Sequence, residues 1–152
     1  MRNNTSRKIY IKWVAVAIVL FFLATMFWPR RFCDFLRPGE AVTFYITTRT
    51  YTEDSSLPEM GEQHWTVQPD TPAYEEIMGI LEQYRCRLSL FPLKKNNQAP
   101  WWNLYQDSGV EITNLGTGDW KANGLHFTLY GGDEAAAQME TRILGILTSL
   151  KQ

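Results

Sequence analysis

Residues 101–130 read WWNLYQDSGVEITNLGTGDWKANGLHFTLY, and this stretch decides the fold. Short runs of aromatic and β-branched residues are cut by Asp107-Ser108-Gly109, Gly116-Thr117-Gly118 and Asn123-Gly124, turn chemistries that send a strand straight back beside itself. Trp102 and Leu104 fall on one side of the first run, Val110, Ile112 and Asn114 alternate with Glu111 and Thr113 in the second, and Leu125 to Tyr130 forms the last. Connections this short leave no length for a crossover, so the segment reads as an antiparallel β-meander.

Outward from the meander, the pattern switches between periods of two and of three to four. Ala41 to Thr52 places Val42, Phe44 and Ile46 on one face and Tyr45, Thr47 and Arg49 on the other, the alternation of a half-buried strand. Glu53 to Glu62 is polar and punctuated by Pro58 and Gly61, so it reads as a loop; Gln63 to Gln68 then resumes the alternation and completes a hairpin. Asp70-Thr71-Pro72 opens a helix, with Tyr74, Ile77, Met78, Leu81 and Tyr84 along one stripe. Cys86 and Leu88 alternate with Arg87 and Ser89 as a short strand, and Leu93 to Pro100 is a loop. After the meander, Gly131-Gly132-Asp133 starts a final helix, with Asp133 as the expected cap and Ala136, Met139, Ile143, Ile146, Leu147 and Leu150 as its apolar stripe. Strand pair, helix, meander and helix together predict an α+β domain, both helices covering one face of an antiparallel sheet.

Near the beginning, Trp13 to Trp28 (WVAVAIVLFFLATMFW) holds sixteen residues without a charge. Extended back to Ile9 the run is twenty residues long with Lys12 as its one interruption, and a helix of that length covers the roughly 30 Å hydrocarbon core of a bilayer. No small pair precedes Pro29, so the pattern predicts an uncleaved signal-anchor rather than a removed signal peptide. The expected organisation is a basic tail at 1–12, a transmembrane anchor at 13–28, a juxtamembrane connector at 29–40 whose Phe32, Phe35 and Leu36 rest on the lipid boundary, and the α+β domain at 41–152. Lipid contact is expected through residues 9–36. Arg2, Arg7, Lys8 and Lys12 precede the anchor and Arg30, Arg31 and Arg37 follow it, a small positive-inside margin that predicts a single-pass cell-membrane protein with its body outside the cytoplasm.

Charge divides along the same boundary. Residues 1–38 carry seven Lys and Arg against Asp34 alone, whereas 39–152 carry eight against fifteen Asp and Glu. An acidic body argues against a nucleic-acid partner, because phosphate binding needs the opposite sign. Only Cys33 and Cys86 occur, which is no disulfide framework and no metal spacing.

Candidate chemistry is sparse. His64 and His126 each lie on the polar face of a strand without HExxH-type spacing; Ser55-Ser56 lacks a nucleophile turn; the glycine clusters fit no phosphate loop. Asp107, Glu111 and Asp119 sit in the meander, where a glycosidase pair has to converge. Aromatic residues stand furthest above background: Trp101, Trp102, Tyr105 and Trp120 are the expected binding residues, and in an extended chain the adjacent rings of Trp101 and Trp102 face opposite sides. The expectation is therefore a membrane-anchored extracytoplasmic domain that binds a protein or envelope glycan, without metal or cofactor and without catalysis. The alternative is a cell-envelope hydrolase using those carboxylates or His126.

Overall fold

The computed structural model describes residues 4–26, 28–50, 59–89, 101–116 and 118–150. Among the described residues three α-helices and eight strands follow in the order α1 Asn4–Met26, β1 Arg30–Arg31, a 3-10 turn at Phe32–Phe35, β2 Val42–Thr50, β3 Glu59–Val67, α2 Pro72–Gln83, β4 Arg85–Leu88, β5 Trp101–Tyr105, β6 Glu111–Gly116, β7 Asp119–Ala122, β8 Leu125–Leu129 and α3 Gly132–Ser149. All eight strands join one open antiparallel sheet in the order β1-β4-β8-β7-β6-β5-β2-β3. The fold is α+β, and β5 to β8 are neighbours in sequence and in space, as a meander requires.

Period-two alternation sorts the sheet into two faces. Val42, Phe44, Ile46, Trp65, Val67, Trp102, Leu104, Ile112, Trp120, Phe127 and Leu129 form one buried layer, and Tyr74, Ile77, Ile80 and Leu81 of α2 with Ala136, Met139, Ile143 and Leu147 of α3 complete the same core. Because β3 and β4 lie near opposite margins, α2 carries the chain across that layer. Thr71 caps α2 by accepting from the Tyr74 amide at 3.2 Å, and Asp70 before it takes a left-handed turn at φ 63°. At α3 the cap is Gly131, with φ 89°, and Asp133 falls inside the first turn. That left-handed entry suits glycine, which has no Cβ to clash.

Two segments differ from expectation. Residues Glu59–Glu62, read as loop, extend β3, and Thr47 pairs with Glu62 across the ladder. Gly61 fits there because a Cβ would lie 2.8 Å from Thr48 Oγ1, a close approach of the kind that explains glycine within a strand. The loop over 53–58 and the loop at 93–100, including Lys94-Lys95, lie outside the described residues.

The connector is the larger correction. Phe32 and Leu36, expected at the lipid boundary, are core residues with 1% and 5% exposure, and Phe35 packs on Phe127 with ring centroids 4.3 Å apart. β1 pairs with β4, the Phe32 amide donates to the Tyr84 carbonyl at 2.9 Å, the Arg37 amide to Gln106 Oε1 at 2.7 Å, and the Gly39 amide to the Tyr74 hydroxyl at 3.2 Å. Arg31 holds the turn by pairing with Asp34 at 3.2 Å and reaching Glu82 of α2. The folded body thus begins at Arg30, because apolar rings gain more from a protein core than from an interface that wets them.

Helix α1 is 23 residues long, about 34 Å at 1.5 Å per residue. Its side chains are described from Tyr10 to Ala24, all of them exposed. That stretch rises only about 22 Å, and among the described residues no helix is long and apolar enough to cross a membrane.

Candidate functional site

Among the described residues no helix covers the sheet face away from α2 and α3. Cross-strand register assembles its rows: Thr66, Thr43, Tyr105 and Glu111 in one; His64, Tyr45, Asn103, Thr113, Lys121 and His126 in the next; Glu62, Thr47 and Trp101 in the third. Tyr45 stands at the centre of the aromatic part. Its ring stacks on His64 with centroids 5.9 Å apart and an interplanar angle of 25°, and it meets Tyr105 edge-on at 5.4 Å and 85°. These are the offset and perpendicular arrangements that aromatic quadrupoles favour.

Beside these rings lies a depression of about 420 Å³ walled by Tyr45, Tyr105, Thr43, Glu62, Asn103 and Asp107. Gln106 closes its floor; its amide is buried and committed to the Arg37 backbone at 2.7 and 2.9 Å, which fixes the wall rather than leaving a free donor. Thr43 and Thr66 hydroxyls lie 3.0 Å apart. Partial burial and then the neighbouring Glu111 raise the Tyr105 pKa, so the phenol stays protonated and keeps a donor in the cleft at neutral pH. The site offers two rings for stacking, an amide, a hydroxyl and two carboxylates, the mixture that grips a polar ligand with apolar faces.

Of the four expected binding residues, the structure brings two to this face. Tyr105 is in the cleft wall, and Trp101 is half-buried on the same side. Trp102 and Trp120 are corrected: each is 2% exposed and in the helix-covered core, where Trp102 meets Phe44 edge-on at 6.4 Å and Trp120 meets Phe32 at 4.9 Å. Alternation forces this, since Trp102 shares its face with Leu104 and Trp120 with Ala122. Tyr45, His64, Glu62 and Asn103 were not singled out as binding residues, although the polar alternation of β2 and β3 puts Tyr45 and His64 on an open face; the pairing that stacks them exists only once the register is known.

Of the carboxylates of the hydrolase reading, Glu111 and Asp119 lie apart. Glu111 aligns with Tyr105, while Asp119 lies opposite Gly116 at the other end of β6 and β7 and accepts from the Thr128 hydroxyl at 2.9 Å. Glu111 and Asp119 are offset by four residues along the ladder, about 13 Å at 3.3 Å per residue, beyond the roughly 5 to 9.5 Å of paired glycosidase carboxylates. His126 lies two strands from Thr113, half-buried, with Nδ1 sealed from solvent. Among the described residues no three His, Cys, Asp or Glu side chains are grouped to hold a metal ion. In comparisons with known proteins the chain matches no family model, no curated protein and no solved structure.

Proposed function

We propose that this chain is a single-pass membrane protein, held by α1, whose α+β body stands outside the cytoplasm and works by binding an extended glycan or peptide in the Tyr45–Tyr105 cleft. The observation that carries the reading is the ring cluster itself: a tyrosine stacked on His64 and braced by Tyr105, bordering a concavity with Glu62, Asn103 and Asp107. Rings fixed by one another lose little freedom when a ligand stacks on them. Anchoring is supported by the twenty-residue apolar run in the sequence and by the exposure of every described side chain of α1, since a helix apolar all round needs a non-aqueous neighbour. The four basic side chains ahead of Trp13–Trp28 against three behind it support the sidedness.

The full chain in neutral detergent, offered a panel of soluble envelope-glycan fragments and peptides, is expected to retain at least one member. Y45A and Y105A each weaken that retention up to about tenfold, the value of one lost stacking contact, without lowering the melting temperature in proportion. Turnover of a panel member, abolished by one substitution at Asp107, Glu111, Asp119 or His126, overturns the binding reading in favour of a hydrolase.

A further inference from the structure

Just past the end of α1 the surface changes character. Pro29, Gln83, Tyr84, Arg85, Tyr130 and Ala135 line a hollow of about 540 Å³. Arg87, two residues beyond Arg85 and exposed on the same side of β4, lays its guanidinium 5.9 Å from the centroid of the Tyr130 ring. Arg30 pairs with Cys86 and so shares the other face of β4, away from both. Tyr130, which lines the hollow, and Trp28, which precedes Pro29 of its lining, are large exposed aromatics.

The charges here are unbalanced. Arg31 pairs with Asp34 and Glu82, leaving Arg85 and Arg87 without an ion pair among the described residues. Glu134, in the first turn of α3 beside Ala135, accepts from Gln138 on its own helix at 3.5 Å. Two guanidinium groups without an ion pair, beside the exposed ring of Tyr130, form the composition that a lipid headgroup layer attracts, through charge and through an amphipathic ring face.

We infer that this hollow seats the phosphodiester headgroup of an anionic membrane lipid, with Arg85 and Arg87 meeting the phosphate and Trp28 and Tyr130 lying at headgroup depth. The inference rests on α1 being an anchor. Pro29 follows Met26 by three residues, at most about 10 Å of extended chain, so a bilayer that holds α1 brings its phosphates to the rim of the hollow. Guanidinium is suited to that partner because its planar donor fork matches phosphate oxygens. The seat is independent of which side of the membrane the body occupies.

The test uses the full chain in neutral detergent, titrated by native mass spectrometry with phosphatidylglycerol and with phosphatidylcholine of the same acyl chains. Phosphatidylglycerol is expected to bind more tightly, and each arginine removed costs about fivefold, so R85Q/R87Q loses about twenty-five-fold. R85K/R87K stays within a few-fold of wild type, and phosphatidylcholine, whose choline cation offsets its phosphate, loses less than phosphatidylglycerol in R85Q/R87Q. Should the double variant melt lower than wild type, R85Q alone, expected at about fivefold, carries the same test. Equal affinity for the two lipids, or an unaffected variant, overturns the inference; so does glycerophosphoglycerol or inorganic phosphate binding as tightly as the intact lipid, which assigns the hollow to a soluble anion. Alkaline carbonate extraction of membranes containing the chain separates the two readings. A chain that washes off overturns both, and one that stays in the pellet without headgroup preference overturns the seat alone.

Discussion

Glu140 converts pH into stability. Its carboxyl lies on the buried side of α3 and accepts from the Asn114 amide of β6, itself a core residue. Burial pushes its pKa up to about 7 from an ordinary 4.5, the Asn114 hydrogen bond opposing this in part. Between those two values the folded chain holds a proton that the unfolded chain has released, so stability declines as pH rises. The contribution is full below about pH 4.5 and gone above about pH 7, and its ceiling is about 3 kcal/mol at 1.36 kcal/mol per pKa unit. E140Q keeps an oxygen for Asn114 and removes the proton. Urea unfolding of the full chain in neutral detergent, followed by tryptophan fluorescence at several pH values from 4.5 to 8, should therefore show wild type losing stability relative to E140Q across that window. Parallel curves for the two proteins, or a wild type that gains on E140Q as pH rises, refute the reasoning.

Two further substitutions probe the fold. F32A opens a cavity in the core where the connector was expected to face lipid, and costs about 3 to 5 kcal/mol; a loss below about 1 kcal/mol in thermal melts returns Phe32 to the interface. G118A, at φ +65°, drives a Cβ to 2.5 Å from the Gly132 carbonyl carbon, whereas G124A at φ +85° enters open space. The first is expected to lose about 2 kcal/mol or more beyond the roughly 1 kcal/mol left-handed penalty of the second, and equal melting temperatures would contradict the packing of that turn on α3.

Much of the body was legible because its strands are half-buried. Alternation in 42–46, 64–67 and 102–104 reports which side faces the core, and three glycine-containing turns compel the meander. The connector was not legible, because a two-residue strand has no period and the groups that bury Phe32 lie far along the chain, at Tyr84 and Trp120. The cap of α3 failed for a smaller reason: Asp133 is a capping residue, but the left-handed backbone at Gly131 starts the helix two residues earlier. Glu140 lies off the apolar stripe of α3, and its burial follows from a polar partner, Asn114, that occupies a core position on β6. The cleft was half visible. An aromatic surplus pointed to the right strands, yet two of the four residues chosen for it belong to the inner layer, and the decisive Tyr45 and His64 needed a cross-strand alignment that composition does not encode.

The junction at Arg30–Phe32 also has a mechanical meaning. A pull delivered through α1 reaches the body at a strand of only two residues and must then draw the Phe32 ring out of the core before the larger strands bear load. Such a joint yields piecewise, like a zipper ending in a rivet, and the remaining seven strands are sheltered until the rivet fails.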